Sequence, residues 1–419
     1  MELARKTVTD TNFRAPVDPA PPPLRRPDLI SDDEQAIAVA TVLAAEFVAG
    51  SAERDRDRIL PWRELERFSE TGLWGITVPR EFGGADVSTH TLAQVIAIMG
   101  AADGSLLQIP QNHFYALEVL RVGASAKQQR FFFERVLAGE RFGNALAEIG
   151  QRDFKRRTRL FRKRGKWIVH GQKFYCTGAI YAHWIPTLVV TEEDTGDVTY
   201  LAFIPRNTPG VTVVDDWDGF GQRVTGSGSV EFDHVEIEPE WIVPFQSSFE
   251  RPTTIGPVAQ IMHAAIDLGI GQGAYREMLR FIRERARPWL DSKVERASED
   301  PLTLQNVGNV WLRLRAAEGL LKRAAEATDA ARADMTEDSV AQASIAVAEA
   351  KILTTKASLL AANKLFELSG TSSTLSDDNF DRYWRNARTH TLHDPVRWKY
   401  QAIGNYYLNG KRPPRHGAI

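Results

Sequence analysis

Two histidines and an aspartate fall within five residues near the C-terminal end of the chain, in the run RNARTHTLHDP from Arg385 to Pro395. His390, His393 and Asp394 are general acid–base types, and Pro395 marks the end of the helical pattern before them. Imidazole titrates near neutral pH, so either histidine can hold or relay a proton there. The plainer use is a pair of C-terminal histidines responding to the helix dipole. For His390, one turn earlier, an orienting role stands beside direct chemistry. A metal site is a third use of His-x-x-His-Asp. No further cluster of His, Cys or Asp stands out to complete it, and no metal is expected.

A second group with chemical potential is FYCTG (Phe174 to Gly178), where Thr177 places a hydroxyl at the end of a strand pattern. Its plain reading is an ordinary strand threonine. A third is the arginine-rich RERARPW around Arg287, whose plain reading is a solvated helix end. No GxGxxG fingerprint links a strand to a helix, so the chain has no evident nicotinamide site of its own.

The elements that must position these groups change character along the 419 residues. An apolar fraction of 43% with 25% charged residues is ordinary for a globular protein, and a net charge of −2 implies no general attraction to nucleic acid or anionic membrane. A single cysteine, Cys176, excludes an intramolecular disulfide and fits a reducing, cytoplasmic setting. The start of the chain lacks the apolar core of a signal peptide, and no run of 18 apolar residues suggests a membrane span.

Residues 1–30 are rich in proline and charge and read as a mobile arm. From 31 to 140 the apolar period is helical, beginning with Ser31 and Glu34 as a capping box. Over 141–250 the period drops to two, in short runs such as KWIVHGQKFYCTG, WIPTLVVTEE and VTYLAFIP, which predicts an antiparallel β-domain of barrel or sandwich type. From 251 to 419 three long helical patterns and a short one predict an up-down bundle. The fold class is therefore α+β, mostly α.

That order of domains, together with four motifs, resembles the acyl-CoA dehydrogenase fold. VPREFGG (Val78 to Gly84) is similar to the family's VPEEYGG loop, and GKWIVHGQKFYCTG to its GxKxWITNA strand pair. FGQRVTGSGSVEFDHVEIEPEWIV and FELSGTSSTLSDDNFDRYWRNARTHTLHDP match two further family stretches in order. The resemblance implies an N-terminal helical domain, a central antiparallel β-domain and a C-terminal four-helix bundle. Where the dehydrogenases carry IYEGT with its carboxylate base, this chain reads LHDPV, so Asp394 stands on the base position and His393 on the tyrosine. The dehydrogenases' Arg-x-x-Phe-Gly pyrophosphate cradle becomes Arg-Ala-Arg-Pro-Trp.

These departures, with THTLHDP, ARPW and FxCxG, resemble the flavin-dependent monooxygenase branch of the same fold, of the dibenzothiophene and alkyl-sulfone type. The resemblance implies reduced FMN, less so FAD, supplied by a separate NAD(P)H-dependent flavin reductase. It implies O2 trapped as a C4a-(hydro)peroxyflavin, an organosulfur substrate oxygenated for sulfur acquisition, and a homotetramer. It assigns catalysis to His393, Thr177 and His390. Flavin contacts fall on Asn112, Asn144, Ala145, Leu146, Ala147, Glu148, Ile149, Lys173, Phe174, Tyr175, Cys176, Thr177, Trp217, Arg287, Thr371, Ser372 and His393, with Arg287 reaching a neighbouring subunit's FMN phosphate. Gln108, Asn112 and His113 line the substrate pocket. Gln108 and Asn112 replace a histidine and a tyrosine of the dibenzothiophene pattern, which implies a more polar pocket and a smaller sulfone or sulfoxide. Two other readings stay open: an FAD-dependent dehydrogenase with Asp394 as base, and a non-catalytic flavin-binding relative.

Overall fold

The computed structural model describes residues 16–18, 27–149, 155–193 and 196–419. Most of the expected arm, residues 1–15 and 19–26, lies outside the described residues. Its described part pairs with the β-domain: Val17 N–H donates to Val213 O at 2.9 Å.

Helix α1 spans Asp33–Val48. Its cap is Asp32, not Ser31, and the expected Ser31–Glu34 box does not form. The Asp32 carboxylate accepts the Gln35 N–H at 2.9 Å, while Ser31 N–H donates to Gln35 Oε1. A carboxylate adds its charge to the hydrogen bond at the positive end of the helix, which favours Asp32 over the neighbouring serine. The remaining helices of this part are α2 (Ser51–Asp57), α3 (Trp62–Glu70), α4 (Thr89–Gly100), α5 (Gln108–Gly123) and α6 (Ala126–Leu137).

Seven strands follow: β1 (Arg159–Lys163), β2 (Lys166–Lys173), β3 (Trp184–Glu193), β4 (Gly196–Pro205), β5 (Val211–Val214), β6 (Ser229–Ile237) and β7 (Ile242–Pro244). They form one sheet in the order β5-β6-β2-β1-β3-β4-β7. The expected all-antiparallel pattern holds except between β1 and β3, which run parallel and meet at Arg159 and Val190. Strand β1, with the sequence RLFRK, carries too much charge to be read as a strand from its pattern.

The C-terminal part is α7 (Ile255–Glu284), α8 (Pro301–Ala333), α9 (Glu337–Ser369), α10 (Asp381–His390) and α11 (Arg397–Asn409). Small residues bring its helices close to the N-terminal part. A Cβ on Gly269 of α7 would sit 2.6 Å from the Ala97 carbonyl of α4, so only glycine permits that approach. One continuous apolar cluster runs through all three parts, from Leu65 and Phe114 through Phe142 and Val230 to Ile266 and Leu365. Among the described residues no single helix is long and apolar enough to cross a membrane.

Candidate active site

Helix α10 sets the acid–base groups by its period. Arg382, Asn386 and His390 repeat every four residues and are all buried, so His390 points into the bundle. Both of its ring nitrogens are engaged there: Nδ1 lies 2.5 Å from Asp267 Oδ1 and Nε2 3.1 Å from His263 Nδ1. Burial pushes His390 below its ordinary pKa, against the pull of Asp267. His393, beyond the helix end, keeps 48% of its side chain exposed, and its Nδ1 meets Asp394 Oδ2 at 3.3 Å. Burial works against ionising Asp394, yet the hydrogen bond from His393 and the charges of His393, Lys399 and Lys351 hold it well below the usual carboxylate range.

His263, in the middle of α7, is a member of this group that the sequence did not signal. Its ring lies 4.0 Å from that of His393 at an interplanar angle of 34°. Donor atoms of His263, His393 and Asp394 lie within 4.8 Å of one another, as do those of exposed His170, Asp233 and His234. The expectation that no further donor stands near His393 and Asp394 is thus corrected: α7 supplies one from 130 residues upstream.

Thr177 follows β2 and is buried, with its hydroxyl 2.7 Å from Ser227 Oγ. Ser227 is 2.6 Å from Thr225 Oγ1, which donates to Gln222 O at 3.0 Å. Ser227 and Thr225 belong to the GQRVTGSGS run; their spacing suited a turn, and nothing in it showed that the turn meets Thr177. The same turn is clamped on two further sides. Gln222 N–H donates to Asn386 Oδ1 on α10 at 2.7 Å, and Gln222 Nε2 donates to Gly104 O at 2.9 Å, just before α5. Gln222 holds φ at +55°, unusual for a side chain larger than glycine. Neighbouring Gly221 has no such freedom to carry a side chain, since a Cβ there would lie 2.0 Å from Arg385 O. Hydrogen bonds therefore lead from Thr177, on the β-domain, to the helix that carries His390.

The two stretches expected to hold flavin are brought together. Phe174 N–H donates to Ala147 O at 3.1 Å, and Lys173 Nζ pairs with Glu148 at 2.7 Å. Lys173 Nζ also reaches Leu146 O, and Glu148 also accepts from the Arg157 and Thr158 N–H groups and the Thr158 hydroxyl. Burial opposes ionisation of Glu148, but Lys173 and the Arg157 and Thr158 N–H groups hold its pKa down to about 2. Beside this pair lies an apolar ledge. Ile149 and Tyr175 are exposed, and the Trp217 ring stands 6.2 Å from Tyr175 at 72°. Trp217 Nε1 donates to Gln222 O at 2.8 Å, so the indole is fixed by the clamped turn. Cys176 is fully buried and burial pushes its thiol up. Ala145 and Leu146 anchor the other stretch: Ala145 N–H donates to Pro186 O and Leu146 N–H to Asn144 Oδ1.

On the substrate side, Asn144 Nδ2 donates to Asn112 Oδ1 at 2.7 Å, tying the β-domain to α5. Gln108 is buried and its Oε1 has no hydrogen-bond partner among the described residues. His113 is fully buried with both nitrogens on backbone, 2.9 Å from Trp74 O and 3.0 Å from Phe142 N. Burial pushes its pKa down to about 3, so it stays a neutral ring between Trp74 and Phe142. Arg287 is exposed on the loop after α7, with no ion-pair partner among the described residues. Thr371 and Ser372 are exposed in a single turn that follows Gly370 after α9.

A flat heteroaromatic ring with polar edges fits this surface. The ledge offers an apolar face, Thr177 a hydroxyl, the 144–149 stretch backbone groups, and Gln108 a buried amide oxygen in need of a donor. Three models of one family match the chain in order: acyl-CoA dehydrogenase, N-terminal domain over residues 31–140, middle domain over 151–235, and C-terminal domain over 261–398. The chain belongs to the acyl-CoA dehydrogenase family.

Within that family, relatives about 30% identical to the chain include flavin-dependent monooxygenases. A dibenzothiophene monooxygenase of Rhodococcus erythropolis is 32% identical over 396 residues, 91% of this chain and 95% of its own. A probable FMNH2-dependent monooxygenase of Pseudomonas putida, SfnC, is 32% identical over 384 residues, 90% of this chain and 96% of its own. Among solved structures, TdsC of Paenibacillus sp. A11-2, determined with FMN and indole, superposes with a TM-score of 0.88 at 30% identity, covering 92% of this chain and all of that one. The methanesulfinate monooxygenase MsuC of Pseudomonas fluorescens gives 0.85 at 30% identity, over 91% of this chain and 99% of its own.

Proposed function

We propose that this chain is a reduced-FMN-dependent monooxygenase that oxygenates a small organosulfur compound, of sulfone, sulfoxide or thiophene type, for sulfur acquisition. The observation that carries the reading is the meeting of the Thr177 hydroxyl chain with α10, which carries His390 and leads into His393, in a chain whose relatives at about 30% identity include flavin monooxygenases. Reduced FMN, when bound, supplies the electrons that activate O2. The chain's own residues do the rest. Phe174 to Thr177 and Asn144 to Ile149 seat the ring, and Trp217 and Tyr175 shield its face from water. Thr177 would offer its hydroxyl to the bound ring, and His393 would hold or move a proton on the solvent side of Asp394.

Arg287, with Thr371 and Ser372, receives the phosphate across a subunit boundary of a homotetramer, and a flavin reductase using NAD(P)H supplies the cofactor in the cytoplasm. The polar pair Gln108 and Asn112 suits a substrate with sulfonyl or sulfinyl oxygens better than a flat tricycle. The dehydrogenase alternative is disfavoured by Asp394 itself. A buried carboxylate held well below its ordinary pKa is a weak base, whereas abstraction of a proton beside a thioester calls for a raised one.

The test is product release: with FMN, NADH and a flavin reductase, the protein should yield sulfite or an oxygenated product from a panel of sulfones, sulfoxides and thiophenes. Bleaching of bound flavin by an acyl-CoA under argon, with no product from the panel, would overturn the reading in favour of the dehydrogenase. Two variants probe the seat. Thr177→Val should cut product about tenfold or more while Thr177→Ser retains most of it, because the hydroxyl and not the side-chain volume is needed. Arg287→Ala should weaken FMN binding by about ten- to a hundredfold, as a lost charged hydrogen bond of roughly 1.5–3 kcal/mol requires. Equilibrium titration of FMN fluorescence measures it, and unchanged affinity removes Arg287 from the phosphate site.

A further inference from the structure

Asp267 of α7 is a fully buried carboxylate at the centre of the bundle. Its Oδ2 receives Lys351 Nζ of α9 at 2.7 Å and Thr355 Oγ1 at 2.9 Å, and its Oδ1 faces His390 Nδ1. The hydrogen positions along this line follow from chemistry. An ionised carboxylate only accepts, so His390 Nδ1 carries a hydrogen. A neutral imidazole has one donor and one acceptor nitrogen, so His390 Nε2 accepts. His263 Nδ1, 3.1 Å away, is then the donor, and His263 Nε2 is left as a lone pair. Both rings are kept neutral by burial, His263 far below its ordinary range. His263 in turn lies against the face of His393.

We propose that Asp267 and His390 fix the tautomer and ring plane of His263, and that His263 is a positioning residue that fixes the ring plane of His393 by stacking. The proposal rests on the reading of His393 as the acid–base group, and it adds a buried support that determines how that group is presented. Orientation of a reacting imidazole by a partner behind it is a large effect in general, and a misplacement of about 1 Å costs roughly a hundredfold in rate. The groups that face His263 are consistent with a neutral ring. Lys351 from α9, Lys399 from α11, and His390 and His393 all disfavour its cation. Asp267 on its own helix is already engaged by Lys351 and His390. Asp394, the other nearby carboxylate, is paired with His393.

Two readouts test this. In 15N solid-state spectra of histidine-labelled protein without flavin, assigned by single variants, His263 and His390 should both report the Nδ1–H tautomer, unchanged between pH 8 and 5.5. An Nε2–H tautomer or a cation at either residue in that range overturns the proposal. In the monooxygenase assay, His263→Ala should lower kcat roughly ten- to hundredfold with little change in the KM for reduced FMN. His263→Phe, which keeps a ring against His393, should recover most of the loss. Equal kcat in wild type and His263→Ala overturns the proposal, as does a His263→Phe variant no better than the alanine. If the spectra show the expected tautomers but the wild-type protein oxygenates nothing, the reading of the chain as a monooxygenase has failed while the buried line stands.

Discussion

Replacing His393 by alanine is expected to cut the yield of oxygenated product by at least about a hundredfold, the usual contribution of a positioned acid–base group. The fold should survive, because half of the side chain is exposed and what is lost is a 3.3 Å contact to Asp394 and the ring contact with His263. NADH consumption by the reductase continues, so electrons that no longer reach substrate appear as hydrogen peroxide. Measuring sulfite or oxygenated product beside peroxide separates this from simple loss of cofactor. A His393→Ala protein that forms product at the wild-type rate removes the histidine from the chemistry. The neighbouring Asp394→Asn should have a smaller effect, since the amide keeps the contact and gives up only the charge.

The second large effect is on stability. Lys351→Ala should destabilise the protein by about 3–5 kcal/mol, because it leaves the Asp267 carboxylate buried with a charge no ammonium balances. Both side chains of this pair are fully buried, so solvent cannot take over. The urea midpoint for unfolding checks it, and a shift worth less than about 1 kcal/mol means that the pair does not hold in solution. The pH dependence has a definite sign. Burial opposes ionisation of Asp267, but Lys351 and His390 outweigh it and hold its pKa down to about 2, below the ordinary 3.8. Its stabilising share is therefore complete above about pH 4 and disappears as pH falls through 2. In Lys351→Ala that acid-labile share shrinks, so mutant and wild type converge at low pH.

Local signals carried the sequence reading well and distant ones did not. Thr177 and Arg287 were singled out because FYCTG and ARPW match motifs of the resembled family, and the structure places Thr177 at the end of β2 and Arg287 on the loop after α7. The Ser227 and Thr225 hydroxyls lay in a quoted motif, but their partner is fifty residues away. His263 was lost in PVAQIMHAAIDLGIG, which reads as an apolar helix, and Lys351 was lost in an alanine-rich one where a lysine reads as a solvated residue. Neither pattern reveals a polar group turned inward, because periodicity records which face is apolar and not what a neighbouring helix brings to it. Helix α11 escaped for the opposite reason: with both Trp398 and Tyr407 exposed, its aromatics follow no single buried face. His390 and His393 share one motif yet diverge in environment, since the end of α10 falls between them.

The turn around Gln222 has a consequence for how such proteins can diversify. It belongs to the β-domain by sequence, yet its hydrogen bonds run to Gly104 before α5 and to Asn386 on α10. A β-domain transplanted from another member would have to bring a left-handed residue that meets the Gly104 carbonyl and the Asn386 side chain, which two other segments supply. Recombination of whole domains is thereby discouraged. Single exchanges at Gln108 or Asn112, which the turn does not touch, leave that joint intact. Change in this scaffold is more accessible by point substitution away from the joint than by shuffling its parts.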